Sequence, residues 1–182
     1  RQHHDFGMDR VGLLDSIDHV GVATIGLAFP AGALPATGTS GFLVPPRAGL
    51  LITAGTWVSE KWPELAANGV RVVRCSAGRA GDQRWAALGD LELADRVRAD
   101  LAAVAGLRGE PLEVRVTRWE RALPQYEAGH RSRLAALEER LAGFPGLLLA
   151  GAAYRGIGLT ACARQALAAA EAATGMLRSV PV

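Results

Sequence analysis

The residues best suited to chemistry form a glycine-rich segment near the end of the chain, Gly151-Ala-Ala-Tyr-Arg-Gly-Ile-Gly-Leu-Thr-Ala-Cys162. The apolar run Leu147–Leu149 before it predicts a buried strand, and the alanine-rich sequence after it predicts a helix over 159–174. Glycine has no Cβ atom, so a flat ligand can approach the backbone of such a segment closely. The first amides of the helix and its dipole favour a phosphate or another negative charge. The segment therefore predicts a ligand contact.

On the residues alone, a purely structural connection between strand and helix stays open for this segment. It is not the first fingerprint of a dinucleotide-binding fold. That motif, GxGxxG, is followed about 20 residues later by an acidic residue. Here the glycines stand at 151, 156 and 158, which is a different spacing.

Composition limits the remaining classes of function. The 182 residues are 49% apolar, enough for one core or slightly more. A net charge of +2 argues against a nucleic-acid partner. The spacing of Cys75 and Cys162 fits neither a disulfide framework nor a metal site, which predicts two reduced thiols and a cytoplasmic protein. No signal peptide opens the chain, and no apolar run reaches the about 18 residues of a transmembrane segment.

The hydrophobic pattern predicts five strands and two further helices. Alternation of apolar and polar residues indicates strands at 16–29, 41–45, 50–57, 70–77 and 112–119. Three- and four-residue spacing indicates a helix capped by Asp90 and ended by Gly106. A second helix carries Leu134 and Leu141 and ends near Gly143.

These elements predict a mixed α+β and α/β fold. Residues 1–15, which include His3-His4, are expected to be a polar, disordered or tag-like end. Residues 16–119 are expected to form a mostly antiparallel sheet with one helix. Residues 120–182 would supply a linker helix and the last strand, glycine loop and helix of a Rossmann-like layer.

Several stretches in the same order carry a family resemblance. The segment 151–162 resembles the second, C-terminal flavin-contacting motif of the protoporphyrinogen and coproporphyrinogen oxidases, in the monoamine-oxidase-like flavoprotein superfamily. Matching stretches are Gly41-Phe-Leu-Val-Pro45, Ile52-Thr-Ala-Gly-Thr-Trp57, Lys61-Trp-Pro63, Gly78-Arg-Ala-Gly-Asp82, Val116-Thr-Arg-Trp119 and Leu123-Pro-Gln-Tyr-Glu-Ala-Gly-His130. Gly55 replaces the family's usual cysteine. The resemblance covers about 16–174 and is closest to the Gram-positive type, which prefers coproporphyrinogen III.

The resemblance implies an FAD cofactor and the oxidation of a porphyrinogen to the porphyrin in heme biosynthesis. The flavin would accept hydride, and oxygen would reoxidise it with formation of hydrogen peroxide. Residues implied to contact the flavin are Trp119, Gly151, Tyr154, Gly156, Ile157, Gly158 and Leu159. Without the family, Trp119 would be read as a core aromatic at a strand end.

No catalytic residue and no metal site is predicted, because the chemistry would be the cofactor's. His130 fits a general base, but a turn or capping role before the helix is favoured, and His19 is expected to be structural. Trp57 and Trp62 would either wall a flat pocket or lie in the core. Residues whose charge suits substrate propionates are Arg47, Lys61, Arg71, Arg74 and Arg79.

Members of this family are longer, and their N-terminal half carries the GxGxxG fold that binds the ADP part of FAD. The chain is therefore expected to be a C-terminal part that alone binds FAD weakly or not at all and is inactive. Its expected partners are the porphyrinogen and that N-terminal half. A homo-oligomer and the preference between coproporphyrinogen and protoporphyrinogen stay open. The alternatives are a non-catalytic remnant that binds a porphyrin or a partner, and another amine-oxidase-like flavoenzyme.

Overall fold

The computed structural model describes residues 16–34, 38–66, 69–107, 109–144 and 146–178. The chain forms two compact units. One is Val20–Ala122, and the other combines Arg1–His19 with Leu123–Val182. The expectation for residues 1–15, with His3-His4, lies outside the described residues.

The first unit is built on a sheet with the strand order β2-β3-β4-β1-β5. The pairs β1–β4, β2–β3 and β3–β4 are antiparallel. All five predicted strands are confirmed, with ends that move by a few residues, and so is the mixed fold class. Their bounds are β1 His19–Pro30, β2 Gly41–Leu43, β3 Ile52–Trp57, β4 Val70–Ala77 and β5 Glu113–Pro124.

The core of this unit lies on one face of the sheet. Along β1, Ile25, Leu27 and Phe29 are buried while the residues between them are half-buried, because successive side chains of a strand point to opposite faces. Helix α2, Asp90–Ala105, belongs to the same core through Leu93, Val97 and Leu101, which are spaced by four residues along it. The sheet therefore has one packed face and one open face.

The helices are α1 Val58–Lys61, α2 Asp90–Ala105, α3 His130–Leu141 and α4 Leu159–Arg178, with short 3-10 turns at Ala31–Ala33, Pro46–Ala48, Pro63–Leu65 and Arg84–Ala87. Gly106 ends α2 as predicted, in the left-handed conformation at φ 64°. The prediction that Asp90 caps α2 is wrong. Gly89 takes that position without a side-chain hydrogen bond, because the Asp90 carboxylate instead accepts a hydrogen bond from Arg118 Nε at 2.8 Å.

Two predictions about the C-terminal region are wrong. Helix α4 does not end after residue 174 but continues through Gly175 to Arg178. An interior glycine costs a helix only about 1 kcal/mol relative to alanine, so it does not stop one by itself. Leu147–Leu149 is not a strand. A strand needs ladder hydrogen bonds from a neighbour, and no described strand pairs with this apolar run.

Candidate functional site

Two glycines shape the loop between the apolar run and α4. Gly151 has φ 132° and Gly156 has φ 127°, backbone conformations that residues with a side chain rarely adopt. A Cβ atom on Gly156 would also lie 2.7 Å from the Cβ of Ala161 in α4. Gly156 therefore needs to be glycine both for its backbone conformation and for the close approach of the helix.

The loop leads directly into the N-terminus of α4. The amide of Cys162 donates to the Gly158 carbonyl at 3.0 Å, the first bond of the helical pattern. The amides of the three residues between them have no carbonyl partner within the helix. Ile157 is 50% and Leu159 90% exposed. An exposed apolar surface beside free helical amides suits a planar ligand whose edge accepts hydrogen bonds or carries negative charge.

Tyr126 and His130 lie on the other side of this loop. The Tyr126 hydroxyl donates to the Ala152 carbonyl at 2.5 Å and accepts from the Gly156 amide at 2.9 Å. His130 Nε2 lies 2.9 Å from the Tyr154 carbonyl oxygen. With the loop, these side chains line an open cavity of about 860 Å³. Sequence reasoning missed the hydroxyl of Tyr126, because the groups it bonds lie at least 26 residues away in the chain.

The predicted turn role of His130 is confirmed. It begins α3 directly after Gly129, which has φ 84°, and its amide donates to the Glu127 carbonyl at 3.0 Å. Its imidazole is buried and stacks on the Tyr126 ring with centroids 4.0 Å apart.

An exposed ion pair adds a further tie between α3 and the loop. The Arg155 guanidinium donates through Nε and through the second terminal nitrogen to Glu138, at 3.0 and 2.6 Å. The pair raises the pKa of Arg155 above its usual range. Since both side chains are exposed to solvent, the stabilisation is at most about 1 kcal/mol.

A second candidate surface lies on the open face of the sheet. There a cavity of about 480 Å³ is lined by Trp62, Leu65, Arg74 and Arg115, among others. Its lining combines an indole and aliphatic side chains with two guanidinium groups. Sequence reasoning missed Arg115, although the alternation of β5 places it on the same face as Trp119.

Trp119 lies on the open face of β5. The alternation along this strand turns Val116 toward the core and Arg118 toward the carbonyl of Leu88, to which it donates at 2.7 Å. Trp119 points to the opposite face and is 55% exposed. The alternative that Trp119 is a core aromatic is therefore wrong, and its indole is available to a ligand.

The other aromatic candidates separate in the same way. Trp57 is 4% exposed and packs on Phe42 with ring centroids 5.5 Å apart, so it belongs to the core and walls no pocket. Phe42 also fills the space above Gly55, where a Cβ atom would lie 2.4 Å from the phenyl ring. Gly55 is the position at which the family usually has cysteine, and here Phe42 occupies the space beside it.

Most of the basic candidates have structural partners or lie away from the sheet cavity. Arg71 forms an ion pair with Glu60 at 2.5 Å, and Arg79 donates to the Val44 carbonyl at 3.1 Å. Lys61 lies over the Trp62 ring, 4.6 Å from its centroid. Arg47 is exposed on a 3-10 turn. Of the predicted group, Arg74 alone lines the cavity.

The two cysteines are free, as predicted. Burial in the sheet core raises the pKa of Cys75 to about 12, with a smaller contribution from the charge of Asp100. Within the described ranges, no three His, Cys, Asp or Glu side chains are grouped to hold a metal ion. In the same part of the chain, no helix combines the length and apolarity needed to cross a bilayer.

The mixed sheet-and-helix architecture matches that of flavin-dependent oxidoreductases. A family model described as flavin containing amine oxidoreductase matches residues 5–174. The chain therefore belongs to this family.

Individual relatives narrow the resemblance. The chain is 37% identical over 169 residues to a coproporphyrinogen III oxidase of Bacillus subtilis (strain 168), which covers 91% of this chain and 36% of that protein. It is 33% identical to a coproporphyrinogen III oxidase of Staphylococcus aureus (strain NCTC 8325 / PS 47), again over 91% of this chain and 36% of that protein. The chain thus spans little more than a third of these relatives.

A solved structure agrees in both sequence and fold. A provisionally assigned protoporphyrinogen oxidase from Exiguobacterium sp. 255-15 superposes with a TM-score of 0.71 and 32% identity. The match covers 91% of this chain and 35% of that one. The individual flavin contacts, from Trp119 to Leu159, stay predictions.

Proposed function

We propose that the chain supplies the second flavin contact and one wall of the substrate site in an FAD-dependent porphyrinogen oxidase of heme biosynthesis. The substrate would be coproporphyrinogen III, the product the porphyrin, and oxygen the electron acceptor. The observation that carries the proposal is 37% identity, over 91% of the chain, to a coproporphyrinogen III oxidase. Two reduced thiols agree with a cytoplasmic location.

The open face of the sheet supports the substrate assignment. A porphyrinogen is a broad macrocycle with apolar faces and carboxylate side chains. The indole of Trp62 suits an apolar face, and the guanidinium groups of Arg74 and Arg115 suit carboxylates, which they can bind bidentately. Trp119 is exposed on the same face of the sheet. We therefore assign to this face a role in orienting the macrocycle.

The loop before α4 supports the flavin assignment. When bound, FAD would supply the hydride-accepting chemistry of the reaction. Ile157 and Leu159 present apolar side chains to solvent and would line the ring. The unpaired amides at the start of α4 would stabilise negative charge on the ring's edge, as a helix N-terminus does. No side chain needs to transfer a proton for this role.

The outer face of α4 supports the need for a further flavin-binding part. Leu159, Leu167 and Leu177 recur along one face of the helix and are 90%, 66% and 76% exposed. We propose that this face packs against the dinucleotide-binding layer that the family carries in its N-terminal half. That layer would provide the contacts to the ADP part of FAD.

The test joins the chain to the N-terminal portion of the Bacillus subtilis relative and follows porphyrin fluorescence from coproporphyrinogen III and from protoporphyrinogen IX. We expect oxygen-dependent formation of porphyrin above the spontaneous rate, faster with coproporphyrinogen III. Fluorescence that never exceeds the spontaneous rate, with FAD bound, would exclude the activity. Porphyrin binding without turnover would instead favour a non-catalytic binding protein.

A matched pair of variants tests the substrate face in the same assay. Arg74→Ala removes a cation from the cavity and is expected to raise KM about tenfold, the effect of a lost charged hydrogen bond. Arg96→Ala removes an exposed arginine from α2, on the packed side of the sheet, and is expected to change nothing. Equal KM values for the two variants would remove Arg74 from the site.

A further inference from the structure

The backbone of the loop 151–158 is held by side chains from outside it. Within the loop, the Tyr154 amide donates to the Gly151 carbonyl at 3.3 Å. The shorter bonds to the loop backbone come from Tyr126 and His130, which stand before and at the start of α3. The conformation of the loop therefore depends on these two residues.

The Tyr126 hydroxyl closes the loop across four residues. It donates to the Ala152 carbonyl at 2.5 Å and accepts from the Gly156 amide at 2.9 Å. A hydroxyl has one hydrogen to donate and lone pairs to accept, so a single oxygen satisfies both groups. Removing it would leave a carbonyl and an amide without their partner at the two ends of the turn. The amide is that of Gly156, whose positive φ turns the chain toward α4.

His130 holds the middle of the same turn. A carbonyl oxygen only accepts hydrogen bonds, so the 2.9 Å contact of Nε2 with the Tyr154 carbonyl requires a proton on Nε2. His130 Nδ1 is buried and has no hydrogen-bond partner among the described residues, so the contact of Nε2 with Tyr154 is the hydrogen bond that the ring makes there. The ring is 7% exposed and stacked on Tyr126. The two side chains therefore act as one clamp on the backbone at 152, 154 and 156.

We propose that Tyr126 and His130 are positioning residues: they fix the backbone of the loop 151–158 and so aim the first amides of α4 at the flavin. The flavin part rests on the function proposed above, while the clamp on the loop does not. The stretch Leu123-Pro-Gln-Tyr-Glu-Ala-Gly-His130 thereby acquires a role in the same site as the glycine loop.

Amide hydrogen exchange in the chain tests the clamp. In Tyr126→Phe, we expect the Gly156 amide to exchange about fivefold faster, because its hydrogen bond to the Tyr126 hydroxyl is lost. Tyr154→Phe is the matched control, since the Tyr154 hydroxyl has no hydrogen bond among the described residues and its loss should leave Gly156 unchanged. Unaltered exchange at Gly156 in Tyr126→Phe, with the α3 amides intact, would overturn the clamp.

His130 is tested by a conservative rescue. His130→Leu removes the donor to the Tyr154 carbonyl and is expected to speed exchange in 152–156 by about five- to tenfold. His130→Gln keeps an N–H donor at a similar reach and is expected to return exchange toward the wild-type rate. If the leucine variant does not fold, wild-type exchange must still be approached in the glutamine variant. Exchange in the glutamine variant as fast as in the unfolded chain would contradict the role of His130.

The flavin part is tested in the protein joined to its dinucleotide-binding portion. In Tyr126→Phe we expect Kd for reduced FAD to rise about tenfold and that for oxidised FAD to rise less, because the α4 amides favour the anionic reduced ring. A purely structural loss would weaken both forms equally and would overturn the flavin part. If the wild type holds no FAD, the proposed function fails, and the exchange experiment still decides the clamp.

Discussion

The two units of the chain bury their residues very differently. In 20–122, five strands and α2 enclose a continuous core that includes Ile25, Phe29 and Leu101, each exposed by 1% or less. Among the described residues of the other unit, the buried hydrophobic side chains are Ile17, Leu134 and Leu137, and α4 contains no buried residue over its 20 residues. The first unit therefore has its own core, while the second presents apolar surface.

This difference separates a scaffold from a docking element. Most of the stability of a helix in a protein comes from packing its apolar face rather than from its intrinsic propensity. On α4, Leu159, Leu167 and Leu177 are exposed and lack this packing. We infer that the sheet unit is stable in this chain, and that α4 completes its packing only against a further surface.

The largest expected change in the free energy of unfolding comes from a pair of variants, one in the sheet core and one on the exposed face of α4. Phe29→Ala empties a fully buried site in β1 and should lower the free energy of unfolding by about 3–5 kcal/mol. Leu167→Ala shortens a side chain that is 66% exposed on α4 and should change it by less than about 0.5 kcal/mol. Guanidinium denaturation followed by far-UV circular dichroism, which reports on the helices and strands of both units, measures both changes. Equal losses would mean that α4 is already packed and would remove the contrast.

The cysteines report on the two units separately. Cys75 is fully buried in the sheet core with its pKa raised to about 12, whereas Cys162 is half-buried in α4. The raised pKa lowers the fraction of reactive thiolate at Cys75 at neutral pH. Labelling with iodoacetamide at pH 8 should modify Cys162 first and Cys75 only after unfolding. Modification of Cys75 at a comparable rate would show that the core opens readily.

Arg118 connects β5 to the start of α2 in the sheet unit. Its guanidinium donates to the Leu88 carbonyl and to Asp90 at the start of α2. Arg118→Ala should cost about 1–3 kcal/mol, because a half-buried carbonyl and a carboxylate lose their donor. Arg115→Ala, on the opposite face of the same strand and largely exposed, should cost less than about 0.5 kcal/mol. Thermal denaturation distinguishes them, and a reversed order would invalidate the assigned faces of β5.

The sequence predicts those elements whose pattern lies within a short stretch of the chain. All five strands follow from alternation, because one face of the sheet is buried and period-two patterning records it. The prediction of a strand at Leu147–Leu149 is wrong. The apolar residues indicate burial, but they do not show whether a neighbouring strand is present to form ladder hydrogen bonds. The sequence alone does not distinguish Trp57 from Trp62. In the structure, Trp57 packs on Phe42 and lies in the core, whereas Trp62 lines the cavity on the open face. The clamp of Tyr126 on Ala152 and Gly156 had no local signal at all.

The smallest expected effect concerns pH. A hydrogen bond from Arg84, supported by the arginine charge, lowers the pKa of Asp82 to about 2. A lowered pKa means that the stabilisation is complete above about pH 4 and is lost as the pH falls toward 2. Because Arg84 is exposed, Asp82→Asn should cost less than about 1 kcal/mol at pH 7. Denaturation at pH 7 and pH 3 checks that the difference from wild type shrinks with acid; a difference that grows would contradict it.

The most direct measurement is a titration of the 182-residue chain with FAD, followed by desalting and absorbance of the retained flavin, alone and with the N-terminal portion of the Bacillus subtilis relative joined to it. If the loop 151–158 is a second flavin contact that depends on a first one elsewhere, the chain alone retains almost no flavin. The joined protein then retains one FAD per chain. A yellow, stoichiometric complex of FAD with the chain alone would contradict this dependence.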